Sequence, residues 1–238
     1  MDVELTCIRA VCQRRCGAWS APRSGASDAA ASVVAGTLGN VAVSDGGTAS
    51  AAYTSRLAAR SGARWKRVLD VQAPYRWNLH RLLGERRTLD VGCGIGRNLA
   101  HLPAGSVGVD HNATSVQVCR EAGLEAHTVE EFLAQEATPR FGGLLAAHLI
   151  EHLPAGEAAG VLAPYLPYLE PAARIVLICP QERGFASDAT HTVFTDQPAL
   201  AALAGELGLR VERQYSFPLP RRAGRVFTYN EFVTVAVR

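Results

Sequence analysis

Leu89-Asp90-Val91-Gly92-Cys93-Gly94-Ile95-Gly96 decides how the rest of the chain is read. A short, mainly apolar strand runs into three glycines at alternate positions. Missing β-carbons there let the backbone turn sharply and approach a ligand closely. A second apolar segment, Val107-Gly108-Val109, ends in Asp110, eighteen residues past Gly92. A carboxylate at that place can accept hydrogen bonds from two ribose hydroxyls. The dinucleotide fingerprint needs a glycine three places after Gly94, where this chain has Arg97, so the spacing is GxGxG.

Outward from this loop, apolar runs and helical patterns alternate. Strand Thr88 to Val91 leads to a helix from about Arg97, strand Val107 to Val109 to a helix from about Thr114, and strand Glu125 to Thr128 to a helix from about Glu130. Strand Leu144 to Ala147 precedes a helix from Ala155 to Tyr168, and strand Arg174 to Ile178 a helix from Asp196 to Leu207. Such alternation predicts a parallel sheet covered on both faces. The end differs: Leu209 to Ser216 and Phe227 to Val237 have no helix between them and are expected to pair antiparallel. The fold class is therefore α/β, a doubly wound, seven-stranded, mostly parallel sheet with a C-terminal antiparallel hairpin.

The GxGxG run preceded by Asp90, the acid at Asp110 and this order of elements resemble class I S-adenosylmethionine-dependent methyltransferases, over about residues 70 to 238. The resemblance implies S-adenosyl-L-methionine as cofactor, a sulfonium and not a pyrophosphate. It further implies that Asp90 and the backbone of Gly92, Cys93 and Gly94 border the methionine portion, with Asp90 orienting the loop or the amino group. Asp110 would take the ribose hydroxyls, and His111 would lie against the adenine. Glu130 or Glu131 would meet the adenine amino group, His148 and Leu149 would sit on the sulfonium side, and Arg76, in Tyr75-Arg76, would reach the cofactor carboxylate. Each has a plain structural alternative: Asp110 as a helix N-cap, Glu130 and Glu131 as acids favoured by a helix dipole.

Ala147-His148-Leu149-Ile150-Glu151-His152-Leu153-Pro154 resembles the segment after the fourth strand in methyltransferases of the ubiquinone O-methylation and small-molecule type. In one helical turn His148, Glu151 and His152 share a face. His148 is the general-base candidate for an oxygen acceptor, with His152 and His191 beside it as catalytic candidates. Metal-dependent relatives, among them small-RNA 2′-O-methyltransferases, bind a divalent ion at such places with a later histidine, here His191. They carry Glu where this chain has His148, so no metal is assigned. The expected reaction is methylation of a small molecule. Metal-dependent RNA 2′-O-methylation and non-catalytic cofactor binding are the alternatives.

The 238 residues, 48% hydrophobic with a net charge of +2, suit one core plus an extension, and give no argument for nucleic acid or a membrane. Residues 1–50, rich in Ala, Gly and Ser, are expected to be disordered, 51–87 to form helices capping the site, and 88–238 to form the cofactor-binding domain. Residues 51–87 hold nine Arg or Lys against two acids, net +7, whereas 88–238 hold eleven against sixteen, net −5. The former read as a solvated helix face or as an attraction for an acidic partner. Cys93, Cys119 and Cys179 read as buried thiols of a reduced cytoplasmic protein, and Cys7, Cys12 and Cys16 lack a partner set with zinc spacing. There is no basic start with an apolar core behind it and no run of eighteen apolar residues, so neither export nor membrane spanning is expected.

Overall fold

Strands buried on both faces read as continuous apolar runs, and here they do so because helices cover each side of one sheet. The structure, a computed structural model, describes residues 72–238. The expectations for residues 1–50, for helices between 51 and 71 and for Cys7, Cys12 and Cys16 lie outside the described residues. Helix α1 (Ala73–Leu83) opens on Pro74, whose missing N–H costs nothing in a first turn, and closes on Gly84 at φ +56°. The strands are β1 (Thr88–Val91), β2 (Val107–Asp110), β3 (Ala126–Thr128), β4 (Phe141–Ala147), β5 (Leu169–Pro180), β6 (Arg210–Phe217) and β7 (Glu231–Val237). Between them lie α2 (Ala113–Glu121), α3 (Val129–Leu133), α4 (Ala158–Leu162), α5 (Glu182–Phe185) and α6 (Gln197–Glu206).

The sheet order is β3-β2-β1-β4-β5-β7-β6. Strands β1 to β5 pair in parallel, and β7 inserts antiparallel between β5 and β6. Strand order therefore reverses between β1 and β4, and a crevice opens at their carboxyl ends. One face packs Leu89, Val91, Leu144 and Leu177 against Phe132, Tyr165 and Leu200. The other packs Leu145, Val176 and Val233 against Leu79 and Leu82 of α1 and Val116 of α2.

Two expected helices are shorter than their patterns suggested. The one expected from Arg97 is a single 3₁₀ turn, Leu99–His101, because Gly94 and Gly96 hold positive φ before it and Pro103 and Gly105 close in behind. The helix expected over Ala155 to Tyr168 is α4 followed by a 3₁₀ stretch, Ala163–Tyr168, where Pro164 and Pro167 remove backbone donors. Helix α3 has only five residues and depends on its cap: the Thr128 hydroxyl accepts from Glu131 N at 3.2 Å, and the Glu131 carboxylate accepts from Thr128 N at 2.9 Å. Thr128→Ala is expected to cost about 1 kcal/mol in denaturant unfolding, through the midpoint and with the slope unchanged.

Candidate functional site

The glycine loop is built from its own amides. Gly92 and Cys93 N–H both donate to Val109 O, at 2.8 and 3.1 Å, and Gly94 N–H donates to Asp110 Oδ2 at 2.8 Å. These donors are therefore spent on tying β1 to β2. A ligand beside this backbone would meet its surface and not these amide donors. Gly92, at φ +76°, lies under Leu149: a β-carbon there would stand 3.0 Å from Leu149 Cδ1. Leu149 thus packs the segment after β4 onto the loop.

Asp110 ends β2 with 7% of its surface exposed, and its Oδ1 accepts from Asn112 N at 2.8 Å. Each carboxylate oxygen keeps a further lone pair for a ligand hydroxyl. The helix N-cap is not Asp110 but Asn112, whose side chain accepts from Thr114 and Ser115 N. His111, with 47% of its side chain exposed, places Nδ1 3.5 Å from Asp110 Oδ1. Of the two acids after β3, Glu131 is engaged by Thr128 and Arg120, which hold its carboxyl below the ordinary range. Glu130 is exposed on the first turn of α3.

Asp90, at 1% exposure, leaves Oδ2 buried without a hydrogen-bond partner. Burial, reinforced by the charge of Asp110 and only partly offset by the Leu99 backbone, pushes its carboxyl up to about 7. A buried, orphaned acceptor beside a glycine loop is what a ligand's ammonium group would satisfy, so these residues fit the methionine portion of S-adenosyl-L-methionine. Arg76 is half-buried on the first turn of α1, next to Tyr75, whose hydroxyl donates to Tyr229 O at 2.6 Å.

The four residues expected to act together, His148, Glu151, His152 and His191, fall into two groups. His148, just past β4 at φ +57°, holds a left-handed conformation that costs a non-glycine residue about 1 kcal/mol. Its Nδ1 lies 3.1 Å from Glu151 Oε1 and its Nε2 2.9 Å from Glu231 Oε1. Burial opposes the charge, but the hydrogen bonds to Glu151 and Glu231 outweigh it and hold His148 well above the usual histidine range. An imidazolium with both N–H groups given to carboxylates has no lone pair to offer. The general-base role expected of His148 is therefore not what this geometry provides.

The second group is Glu151, His152 and His191, each offering one donor atom, all within 4.8 Å of one another. His152 Nδ1 donates to Thr190 O at 3.2 Å and His191 Nδ1 to Phe185 O at 2.7 Å, which fixes both tautomers with the lone pair on Nε2. Burial lowers His152, keeping it neutral, and His148 keeps Glu151 ionised against the cost of its own burial. Thr192 N–H donates to Glu151 O at 2.7 Å and ties the loop after β5 to this turn.

Glu231, which patterning left unplaced, is brought to His148 by the last strand. It opens β7 opposite Pro180 on one side and Phe217 on the other, at the edge where the parallel strands end. Gln181 and Asn230, both fully buried, hold it there. Gln181 Nε2 donates to Glu231 O at 2.9 Å and to Ser216 Oγ at 2.8 Å, and Asn230 Nδ2 donates to Gln181 Oε1 at 3.0 Å.

No family model matches the chain, and no curated protein matches its sequence. Solved structures do. An S-adenosylmethionine-dependent methyltransferase from Archaeoglobus fulgidus is 21% identical, with a TM-score of 0.54, over 69% of this chain and 93% of that one. The 1,6-didemethyltoxoflavin-N1-methyltransferase of Burkholderia thailandensis, solved with 1,6-didemethyltoxoflavin and S-adenosylhomocysteine, is 21% identical, TM-score 0.51, over 79% and 88%. Magnesium protoporphyrin IX methyltransferase from Synechocystis, with bound S-adenosylhomocysteine, is 15% identical, TM-score 0.53, over 79% and 98%. The likeness is one of fold: the chain has the class I S-adenosylmethionine-dependent methyltransferase fold.

Proposed function

We propose that this protein transfers a methyl group from S-adenosyl-L-methionine to a small molecule. The observation that carries the reading is the Asp110 carboxylate, bonded to Gly94 N at 2.8 Å and set at the end of β2 beside the reversal of strand order. Asp90 with its orphaned oxygen supports the same reading for the methionine ammonium. The cofactor supplies a methyl already activated by positive sulfur, so the protein's part is to position the acceptor and receive its proton. Asp110 would hold the ribose, with His111 and Glu130 at the adenine, Leu149 over the loop, and Arg76 at the carboxylate. The preference for an oxygen acceptor depended on His148 as a base, and that support is withdrawn by its two carboxylate bonds.

Titration of the full chain with S-adenosylhomocysteine by calorimetry tests the reading. One-to-one binding in the micromolar range is expected, and no binding by folded protein would sink it. Binding without transfer in broad acceptor screens would leave a cofactor-binding protein. We place the protein in the cytoplasm: Cys93, Cys119 and Cys179 are buried free thiols, as a reducing compartment leaves them. Among the described residues no helix is long and apolar enough to cross a membrane.

A second reading, metal-dependent 2′-O-methylation of RNA, is favoured by one observation, the donor atoms of Glu151, His152 and His191 within 4.8 Å. Titration with Co(II) separates the two. The small-molecule reading expects no stoichiometric visible bands, whereas one equivalent bound with bands that His191→Ala removes would put the metal reading first.

A further inference from the structure

Two of the buried thiols meet beneath the glycine loop. Cys93, the middle residue of Gly92-Cys93-Gly94, and Cys119, on the last turn of α2, turn their sulfurs to one acceptor. Cys119 Sγ lies 3.3 Å from Gly94 O and Cys93 Sγ 3.7 Å from it. The Cys93 thiol is also hydrogen-bonded to Cys119. Two glycines make the room for this pair. A β-carbon on Gly108 would stand 2.7 Å from Cys93 Sγ, and one on Gly96 3.0 Å from Cys119 Sγ, so a side chain at either place would press on a sulfur.

The pair joins two walls of the cofactor site. Gly94, whose carbonyl faces both thiols, gives its N–H to Asp110 Oδ2 at 2.8 Å. Helix α2 is capped by Asn112, whose N–H donates to Asp110 Oδ1 at 2.8 Å. Movement of the loop towards α2 therefore reaches the Asp110 carboxylate from both sides. The thiols differ in access: Cys93 is 7% exposed and Cys119 not at all.

We propose that Cys93 and Cys119 are a site of reversible disulfide formation, with a hydroperoxide as the oxidant, and that the bond weakens S-adenosyl-L-methionine binding. For its ligand the proposal rests on the methyltransferase reading above. Cys93, the thiol that a small oxidant reaches first, attacks one oxygen of the hydroperoxide as its thiolate. The S–O bond forms, the O–O bond breaks, and the leaving oxygen takes up the proton. The Cys119 sulfur then attacks the Cys93 sulfur; the S–S bond forms as the S–O bond breaks, and hydroxide leaves with the Cys119 proton as water. Two thiols lose two electrons, which the hydroperoxide gains. The Cys119 contact and burial hold the Cys93 thiol well above its ordinary range, so thiolate is scarce and the first step is slow at neutral pH. The site thus answers sustained hydroperoxide and not a brief pulse. Bonded sulfurs sit closer than two thiols in contact, so the disulfide draws the loop and α2 together and removes the S–H groups facing Gly94 O. Thiol exchange with glutathione restores the pair.

The test uses the full chain, reduced, then treated with hydrogen peroxide at mildly alkaline pH and digested without reductant. Mass spectrometry is expected to find a peptide pair linked through Cys93 and Cys119 that dithiothreitol releases. In calorimetric titration S-adenosylhomocysteine should bind the oxidised chain at least about fivefold more weakly than the reduced one, the lower end of coupling between two sites. Cys119→Ser should bind it equally before and after treatment, which separates this bond from oxidation at the other cysteines. By linkage, saturating S-adenosylhomocysteine should lower the disulfide-to-dithiol ratio in a glutathione buffer by the factor found calorimetrically. Absence of the Cys93–Cys119 peptide, or equal affinity in the oxidised and reduced chains, overturns the proposal, as does the same loss in Cys119→Ser. A reduced chain that binds no S-adenosylhomocysteine overturns the methyltransferase reading, and the proposal with it, before any oxidant is added.

Discussion

An Asp110→Ala chain is expected to lose at least about a hundredfold in affinity for S-adenosylhomocysteine, together with about 2 to 4 kcal/mol of stability. Two separate losses add here. The carboxylate accepts from Gly94 N and Asn112 N, both at 2.8 Å, and its removal strands these amides in a site where Asp110 itself is 7% exposed. An unsatisfied buried donor costs about 1 to 3 kcal/mol. The ligand loses two hydrogen bonds from ribose hydroxyls to an ionised acceptor, at about 1.5 to 3 kcal/mol each, which is more than a hundredfold requires. Asp110→Asn keeps one acceptor oxygen and should fall between the two chains in both quantities. Calorimetric titration beside denaturant unfolding measures them. A folded Asp110→Ala chain binding within threefold of wild type would remove Asp110 from the cofactor site.

Asp90→Asn should do the opposite to stability. Below pH 3.8 the Asp90 carboxyl is protonated in both folded and unfolded chains and costs nothing. Between 3.8 and about 7 the unfolded chain ionises while the folded one stays protonated, so stability falls as pH rises; above about 7 the cost is fully present. A three-unit shift corresponds to roughly 4 kcal/mol. The asparagine N–H groups find no acceptor where Oδ2 lies orphaned, which returns about 1 to 3 kcal/mol. The net expectation is a chain about 1 to 3 kcal/mol more stable than wild type at pH 8, with the advantage gone by pH 4. S-adenosylhomocysteine affinity should fall about tenfold or more, because an amide cannot pair with the ligand's ammonium as a carboxylate does. A Tm–pH series on both chains checks the first part, and a gain that persists unchanged at pH 4 would refute the electrostatic cause.

The two substitutions also show what patterning could read. Asp90 and Asp110 stand where the glycine spacing and the second strand place them, and both lie at the carboxyl edge of the sheet. The strands from Thr88 to Ala147 were legible because burial on both faces demands unbroken apolar runs. The antiparallel pairing of β6 with β7 followed from two strands with no helix between them, whereas the insertion of β7 beside β5 is a feature of the tertiary structure. Helix lengths were less legible. Ala155 to Tyr168 carries a helical apolar period, yet Pro164 and Pro167 turn its second half into 3₁₀ geometry, a local effect that outranks periodicity. The capping box that engages Glu131 and leaves Glu130 out of it was likewise decided by local chemistry.

By itself the sequence determined the α/β class, the glycine loop after the first strand, and the two acids flanking it. These features arise from side-chain period, missing β-carbons and short-range spacing, all of which are written along the chain. Only the tertiary structure decided what the polar groups are free to do. It spent the Gly92, Cys93 and Gly94 amides on Val109 and Asp110, and divided His148 from His152 and His191. It also set Glu231 against a histidine 83 residues away, turning an expected base into an imidazolium. Proton affinity and hydrogen-bonding capacity depend on partners within about 3 Å, and which partners meet at that distance is fixed by strand register and by the Gln181 and Asn230 network beneath Glu231.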